Sequence, residues 1–365
     1  MKKSFCELLL QYYPKPSEAE DFYSTFIANC VFNSFLSYTA IMLNIVTIHA
    51  IRKTSSLPKT LKTLLLSLAV SDVGVGLIAQ PFYSSLLVKW LQQNNPGCNT
   101  ATAFYFIAHL FFNSSFCNVV AVSVDRFLAI HLHLRYQELV THKRVVAVVI
   151  LIWVLSVFVS FLVFWVPLDI YALLISVIGV LGLIVTAMVY IRIYLAVRRH
   201  KNQIQVLQVQ QVAQSGEIAN FSSNIKSSVG IFYVYLVFLV CYLPYLISLV
   251  APQMNSPSVV LKRFSLFSVT LVCLNSSLNP VIYCLKMGHI RHAVINILRN
   301  MSWYRNRTSR EKLEMTGHAL PWFGIAVAVK RLLYITTTVD SFNSRCRSRE
   351  EVVFKLSNAV LQDTE

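Results

Sequence analysis

Seven long apolar stretches constrain this chain more than any other feature. They lie near 27–51, 61–88, 101–132, 144–167, 170–198, 227–251 and 264–286. A helix needs roughly 20 mostly apolar residues to cross the hydrocarbon of a bilayer. The run from Arg144 to Arg198 is long enough for two helices. Pro167-Leu168-Asp169 divides it, because proline favours an extended residue before it and an aspartate is costly in hydrocarbon. Composition agrees: 56% of the residues are hydrophobic and 13% charged, against about 45–50% and about 25% in a soluble domain. The expected class is an all-α membrane protein. The formal net charge of +16 is concentrated in a few loops and the tail, which argues against nucleic acid as its partner.

Basic residues orient the bundle. Arg52, Lys53, Lys59 and Lys62 fill one loop; Arg135, Lys143 and Arg144 the next on that side; Arg198, Arg199, Lys201 and Lys226 the third. The opposite side holds Lys89, Asp169 and the pair Lys262-Arg263. The amino terminus is therefore expected outside and the carboxyl terminus inside. The apolar stretch within Met1–Leu10 is too short and interrupted for a signal peptide. An amino tail of residues 1–26 cannot bury a core of its own, so a ligand is expected inside the bundle, 27–286. Asn220, Asn300 and Asn306 begin glycosylation sequons, all in inside segments. Residues 200–226 are expected to form a third inner loop, with the fifth helix continuing a few turns before Ser215-Gly216. From 287 to 299 basic and apolar residues alternate, with Ile290, Val294, Ile297 and Leu298 on the apolar side. That pattern suits a short amphipathic eighth helix lying on membrane lipid.

Polar residues within the spans carry the next layer of inference. Asp72 sits mid-span, where an ionised carboxylate costs about 2.5–3.5 kcal/mol. It should face the interior, with Asn44, Ser115, Asn275 and Asn279 as candidate partners. Arg126 closes the third span beside Asp125, which can pair with it. Pro244 and Pro280 each remove a helical hydrogen bond and make a weak point. Gly74 and Gly76 suit close helix packing.

Asp125-Arg126-Phe127 at the end of the third span and Asn279-Pro280-Val281-Ile282-Tyr283 near the end of the seventh resemble the rhodopsin-like (class A) family of G-protein-coupled receptors. The resemblance covers about 27–299. It implies a plasma-membrane receptor that converts binding of an extracellular ligand into activation of a heterotrimeric G protein. Arrestin and a receptor kinase are the partners it implies for the tail, 300–365, which has Ser and Thr clusters at 335–348. By the resemblance, Asp72, Ser115, Asn275 and Asn279 ring an allosteric sodium ion, and oxygen ligands suit a hard cation. Asp125, Arg126, Tyr190, Phe238, Tyr242, Pro244, Asn279, Pro280 and Tyr283 become the coupling and activation residues. Met188-Val189-Tyr190-Ile191-Arg192-Ile193-Tyr194, followed by Arg198-Arg199-His200, is similar to the end of the fifth helix in adenosine receptors.

The chain also departs from the family pattern. Phe127 replaces a common Tyr, and Tyr242 in Cys241-Tyr242-Leu243-Pro244 replaces the usual Trp. The loop around Asp169 has no cysteine for the usual bridge, so Cys98 pairs with Cys6 or Cys30, or stays free. That loop resembles the melanocortin, cannabinoid and lysophospholipid receptors. Gly182 stands where the fifth helix usually has Pro, as in melanocortin receptors. Phe116 replaces a branched aliphatic residue. Asn224 replaces an acid that locks Arg126 in many members, which predicts some basal activity.

The ligand class is bounded by what is missing. Ala108 stands at the amine-binding Asp, and Phe82, Ala101 and Tyr105 at the acids of melanocortin receptors. Leu249 stands at the adenosine-binding Asn and Cys273 at the retinal-binding Lys. The expected pocket is Tyr105, His109, Phe112, Asn113, Tyr242, Tyr245 and Ser248, a set suited to a small or lipid-like ligand. The rivals fare worse. A transporter usually shows internal repeats and several mid-membrane ionisable groups, and Asp72 is the one acid placed at mid-depth. A hydrolase would need clustered ligands or a catalytic triad, and no such string is present, so the chain is not expected to be an enzyme. A receptor that binds without signalling is disfavoured by intact Arg126, Asn279 and Tyr283.

Overall fold

A computed structural model describes residues 14, 18–55, 57–94, 96–132, 135–207, 215–254, 258–297 and 299; at 19, 196–231 and 252–254 it describes the backbone alone. The chain divides into two compact units, Met1–Val294 and Ile295–Glu365, and the membrane-length helices belong to the first. The tail 300–365, Cys6, and the Asn300 and Asn306 sequons lie outside the described residues.

Among the described residues, seven helices are long and apolar enough to cross a membrane. They are α1 (Ala19–Lys53), α2 (Lys59–Leu91), α3 (Cys98–His131), α4 (His142–Phe161), α5 (Leu168–Leu207), α6 (Ser215–Met254) and α7 (Val259–Lys286). A one-turn helix, Tyr136–Leu139, lies between α3 and α4. α3 sits centrally, packed against α2, α4, α5 and α6, and α7 packs between α1 and α6. The bundle is all-α, as the apolar stretches predict.

Its surface reverses that of a soluble protein. Ile150, Val154, Phe158, Leu181 and Ile191 are exposed, while Asn29, Asn33, Asn44, Asp72, Asn275 and Asn279 are fully buried. Polar side chains tie one helix to another in the interior. Asn33 Nδ2 donates to Thr270 Oγ1 at 2.8 Å, joining α1 to α7. Trp153 Nε1 donates to Ser67 Oγ at 3.1 Å, joining α4 to α2. Lipid offers no hydrogen bonds, so such groups turn inward.

Several helix limits differ from the sequence expectation. α1 begins at Ala19, not at 27, with Glu20 and Asp21 in its first turn, where acids complement the helix dipole. Phe22, Phe26 and Trp90 stack in sequence and bury its start. α7 begins at Val259, with the Ser258 side chain accepting from the Leu261 N–H at 3.3 Å. Lys262 and Arg263 thus lie at the start of a helix rather than in a loop. α5 and α6 reach Leu207 and Ser215 and take up most of the expected third inner loop. Asn224 falls on α6, and its side chain lies outside the described residues, as does that of Asn220. Residues 288–294 are helical again, as the alternation suggests, but Met287, Ile290 and Val294 are buried in the protein rather than left for lipid.

Pro81 reshapes α2 in a way the hydropathy did not anticipate. Residues Val75–Ala79 form a π-helical turn, in which the Gln80 N–H reaches back to the Val75 carbonyl. The next bond in that register would need an N–H on Pro81, which has none. The Gly76 carbonyl so freed accepts the Ser37 hydroxyl of α1 at 2.7 Å. A Cβ at Gly76 would meet Ile41 and the Ser37 carbonyl, and one at Gly74 would meet the Phe111 ring. Both glycines are therefore sites of close helix approach.

Candidate functional site

At one end of the bundle Arg126 is buried to 1% exposure. Its Nε donates to Asp125 Oδ2 at 3.0 Å, and its Nη2 makes a second, shorter contact with the same oxygen. The other oxygen, Oδ1, accepts the Tyr136 hydroxyl at 2.7 Å. That hydroxyl has spent its proton, so the Thr60 hydroxyl of α2, 3.0 Å away, donates to it. Burial, and after it the Asp125 charge, push the Tyr136 hydroxyl up to about 12. Tyr136 does not stand out in the sequence. Its only signal is a Tyr at fixed distance after Asp125, in a loop with no periodicity to anchor it.

Tyr190 and Tyr283 lie near this end without bonding Arg126. Tyr190 shares a 3.2 Å contact with Ser123 Oγ and stacks on Tyr235 of α6. The buried Tyr283 hydroxyl has no partner. Lys286 of α7 places its ammonium 4.0 Å from the centroid of the Tyr233 ring of α6.

The middle of the bundle holds Asp72, fully buried. Ser115 Oγ donates to Oδ1 at 3.2 Å and Asn279 Nδ2 to Oδ2 at 2.9 Å. Among the described residues no cationic side chain pairs with it. Asn275 Oδ1 and Nδ2, Asn279 Oδ1 and Asn44 Oδ1 are buried without a partner. Pro280 frees the Ser276 carbonyl four residues earlier, and Asn44 Nδ2 caps it at 2.8 Å. The proline that weakens α7 is thereby tied to α1.

An aromatic layer lies between α3, α5 and α6. Tyr242 stacks on Phe238 with centroids 4.0 Å apart, and both touch the Phe116 ring. The Tyr242 hydroxyl donates to the Phe112 carbonyl of α3 at 3.1 Å. A Cβ at Gly182 would come within 2.4 Å of the Phe116 ring. Two departures from the family pattern, Phe116 and Gly182, are thus one packing solution: the larger ring fills the space that the glycine leaves.

At the other end a cavity of about 70 Å³ is lined by Tyr105, His109, Phe112, Tyr171, Tyr245, Ser248 and Lys262, among others. His109 Nδ1 faces the Tyr105 carbonyl at 2.8 Å and so carries the proton. Nε2 is then the acceptor for the Tyr245 hydroxyl at 2.8 Å, the neutral tautomer that satisfies both atoms. Ser268 donates to Ser248, which donates to the Tyr245 carbonyl. The Tyr171 hydroxyl is buried and has no partner. Of the pocket expected from the sequence, Asn113 and Tyr242 do not line this cavity. Tyr242 lies below it on Phe112, and Asn113, four residues from His109, has a buried Nδ2 without a partner. Tyr171 and Lys262 line it instead, and sequence reasoning misses them because both stand at expected span ends.

Cys98 is disulfide-bonded and Cys30 is a free thiol, so of the two expected partners Cys30 is excluded.

Comparison with known proteins agrees with this geometry. A sequence profile described as "7 transmembrane receptor (rhodopsin family)" matches residues 43–168 and 165–283. The adenosine receptor A2b of Gallus gallus is 32% identical over 126 residues, which cover 34% of this chain and 36% of that receptor. The aligned part thus spans about a third of that relative's length. The family profile takes in well over half of the chain and all seven helices at least in part. The chain belongs to the rhodopsin family of seven-transmembrane receptors and is a receptor rather than an enzyme.

Proposed function

We propose that this receptor sits in the plasma membrane with its amino terminus outside, and couples a ligand in the Tyr105–Tyr245 cavity to a heterotrimeric G protein at the Arg126 end. The observation that carries this is Arg126 itself. A fully buried arginine paired with its neighbour Asp125 and, through it, linked to Tyr136 is a charge held in reserve. Swinging α6 away at that end would open a cleft to it. Pro244 lies one turn from the Tyr242–Phe238 layer and supplies the pivot, since it denies the Val240 carbonyl a helical donor. A ligand pressing on Tyr245 and Phe112 acts on the carbonyl to which Tyr242 is bonded. The unpaired Tyr283 hydroxyl is available to a partner formed in the swung state.

Asp72, Ser115, Asn275 and Asn279 fit a sodium ion: one carboxylate, one hydroxyl, and buried amide oxygens with no donor of their own. Bound there, the ion would neutralise Asp72 and hold α2, α3 and α7 together in the resting form. Arrestin and a receptor kinase remain the proposed partners of the tail.

The test is basal nucleotide exchange across the main G-alpha classes in cells, for wild type and Arg126→Ala at equal surface level. A wild-type signal lost in the variant supports coupling through Arg126. A signal retained in Arg126→Ala overturns it. Because Asn224 offers no acid to hold Arg126, Asn224→Glu is expected to lower basal exchange; an unchanged level makes that position irrelevant to the resting equilibrium.

A further inference from the structure

Lys262 is a misplaced cation by ordinary helix rules. It lies in the first turn of α7, just before Arg263, and that turn has no acid. The amino end of a helix already carries partial positive charge and favours anions. Lys262 is nevertheless buried, at 4% exposure, and faces the cavity. It is the one ionised side chain in the cavity lining, since His109 is held in its neutral tautomer by Tyr105 and Tyr245. Its charge is met by Glu18, just before α1, with Nζ 2.6 Å from Oε2. Glu18 comes from a segment that Arg263 also grips, through the Asp21 carbonyl at 2.5 Å and the Phe22 ring.

The rest of the lining is apolar or aromatic, with a few hydroxyls. Phe104, Ala108, Phe112, Leu168, Leu266 and Val269 supply the apolar wall. The Tyr171 side chain lines the same cavity, and its buried hydroxyl has no partner. A buried cation, a helix amino end and a spare hydroxyl all favour negative charge, beside a wall that favours hydrocarbon.

We propose that Lys262 recognises the anionic headgroup of an amphiphilic ligand, a carboxylate or phosphate on an apolar body, and that Glu18 holds this place until the ligand displaces it. Glu18 is an internal competitor: it neutralises Lys262 in the resting receptor and lowers apparent affinity for any anion. Displacement also removes one of the ties between the start of α1 and α7, giving the headgroup a direct hold on α7. This rests on the cavity being the ligand site.

The experiment uses the full chain in detergent micelles and reads thermal stabilisation against concentration. The probes are three matched pairs: benzoic acid and benzamide, decanoic acid and decanamide, oleic acid and oleamide. Oleoyl glycerol phosphate and its dephosphorylated form make a fourth pair. In Glu18→Gln the acids should act at least about tenfold more tightly than in wild type, because a charge-assisted competitor has been removed. Lys262→Met should lose the preference for acid over amide. Lys262→Met/Glu18→Gln, which strands no charge, should lose it as well, so a folding defect in the single variant does not decide the matter. Lys262→Arg should keep it. Preference for the phosphate pair names a phospholipid-like headgroup, and for the acids a fatty-acid-like one; either supports the proposal. Equal response to acid and amide in Glu18→Gln, or no response to any acid, overturns it. Two mixed results separate this inference from the cavity reading. An acid preference that ignores chain length and Tyr171→Ala would leave Lys262 a surface anion site and sink the cavity. Binding that depends on Tyr171 but not on Lys262 would keep the cavity and sink the anion.

Discussion

Arg126 and Asp72 are both buried ionisable groups in one bundle, and their surroundings treat them in opposite ways. Arg126 carries its counter-charge beside it in the chain, and a tyrosine, itself bonded to a threonine, donates to that carboxylate's other oxygen. Asp72 is met by neutral donors, Ser115 and Asn279 among them, and around it lie amide oxygens with nothing to accept from. Burying a charge without a partner is expensive, and burying a satisfied pair much less so. The Arg126 end is therefore closed on itself and needs a movement to become available. The Asp72 carboxylate has no counter-charge among the described residues. The fold thus places a paired charge on α3 and a carboxylate without a counter-charge on its neighbour α2.

The comparison breaks most violently at the Arg126 end. Asp125→Asn strands the Arg126 guanidinium, and removing one member of a buried pair costs about 3–5 kcal/mol. Basal nucleotide exchange should rise clearly and thermal stability should fall; unchanged values for both would mean that Asp125 does not hold the resting form. The aromatic layer near Asp72 comes next. Gly182→Ala drives a methyl into the Phe116 ring and should cost about 1–3 kcal/mol of stability, read as a lower melting temperature. Phe116→Leu in the same chain should restore most of it, and failure to do so would separate the two positions.

The Asp72 centre gives a smaller effect. At a sodium concentration ten times the dissociation constant, wild type should gain about 1.4 kcal/mol over choline chloride at equal ionic strength. Asp72→Asn should remove the difference between the two salts; equal salt responses in wild type would mean that no cation binds there. Tyr136→Phe is the mildest, at about 1 kcal/mol. Its sign with pH is set by a hydroxyl whose value is raised to about 12 in the folded protein. The stabilisation is complete below the unfolded tyrosine value of about 10 and fades as pH climbs through the folded one. The gap between wild type and Tyr136→Phe should hold steady up to about pH 9 and narrow above about pH 10. A gap that closes near neutrality would show that Tyr136 does not act through its proton.

The seven spans were legible because burial in lipid demands long apolar runs, and Asp72, Arg126 and the two prolines were legible because each is costly in a membrane helix. Other features were not. The π-turn at Val75–Ala79 follows from Pro81 only once Ser37 is known to face the freed carbonyl. Phe116 and Gly182 read as two separate oddities, since nothing in a single sequence says that residues so far apart touch. Asn113 read as a pocket residue because it is four residues from His109, yet only His109 lines the cavity. Lys262 read as a loop charge, because span prediction begins a helix at its first apolar residues and Lys262-Arg263 interrupts them. Its burial depends on Glu18, more than two hundred residues away in sequence.

The central claim is that α6 leaves the Arg126 end when the receptor signals. Spin labels at Lys143, exposed at the start of α4, and Leu236, exposed on α6, would measure the separation between those helices by pulsed electron resonance, with and without nucleotide-free heterotrimeric G protein. The account predicts a second, longer distance population that grows with G protein and is absent in Arg126→Ala. A single distance, unmoved by a G protein that demonstrably binds, would contradict it.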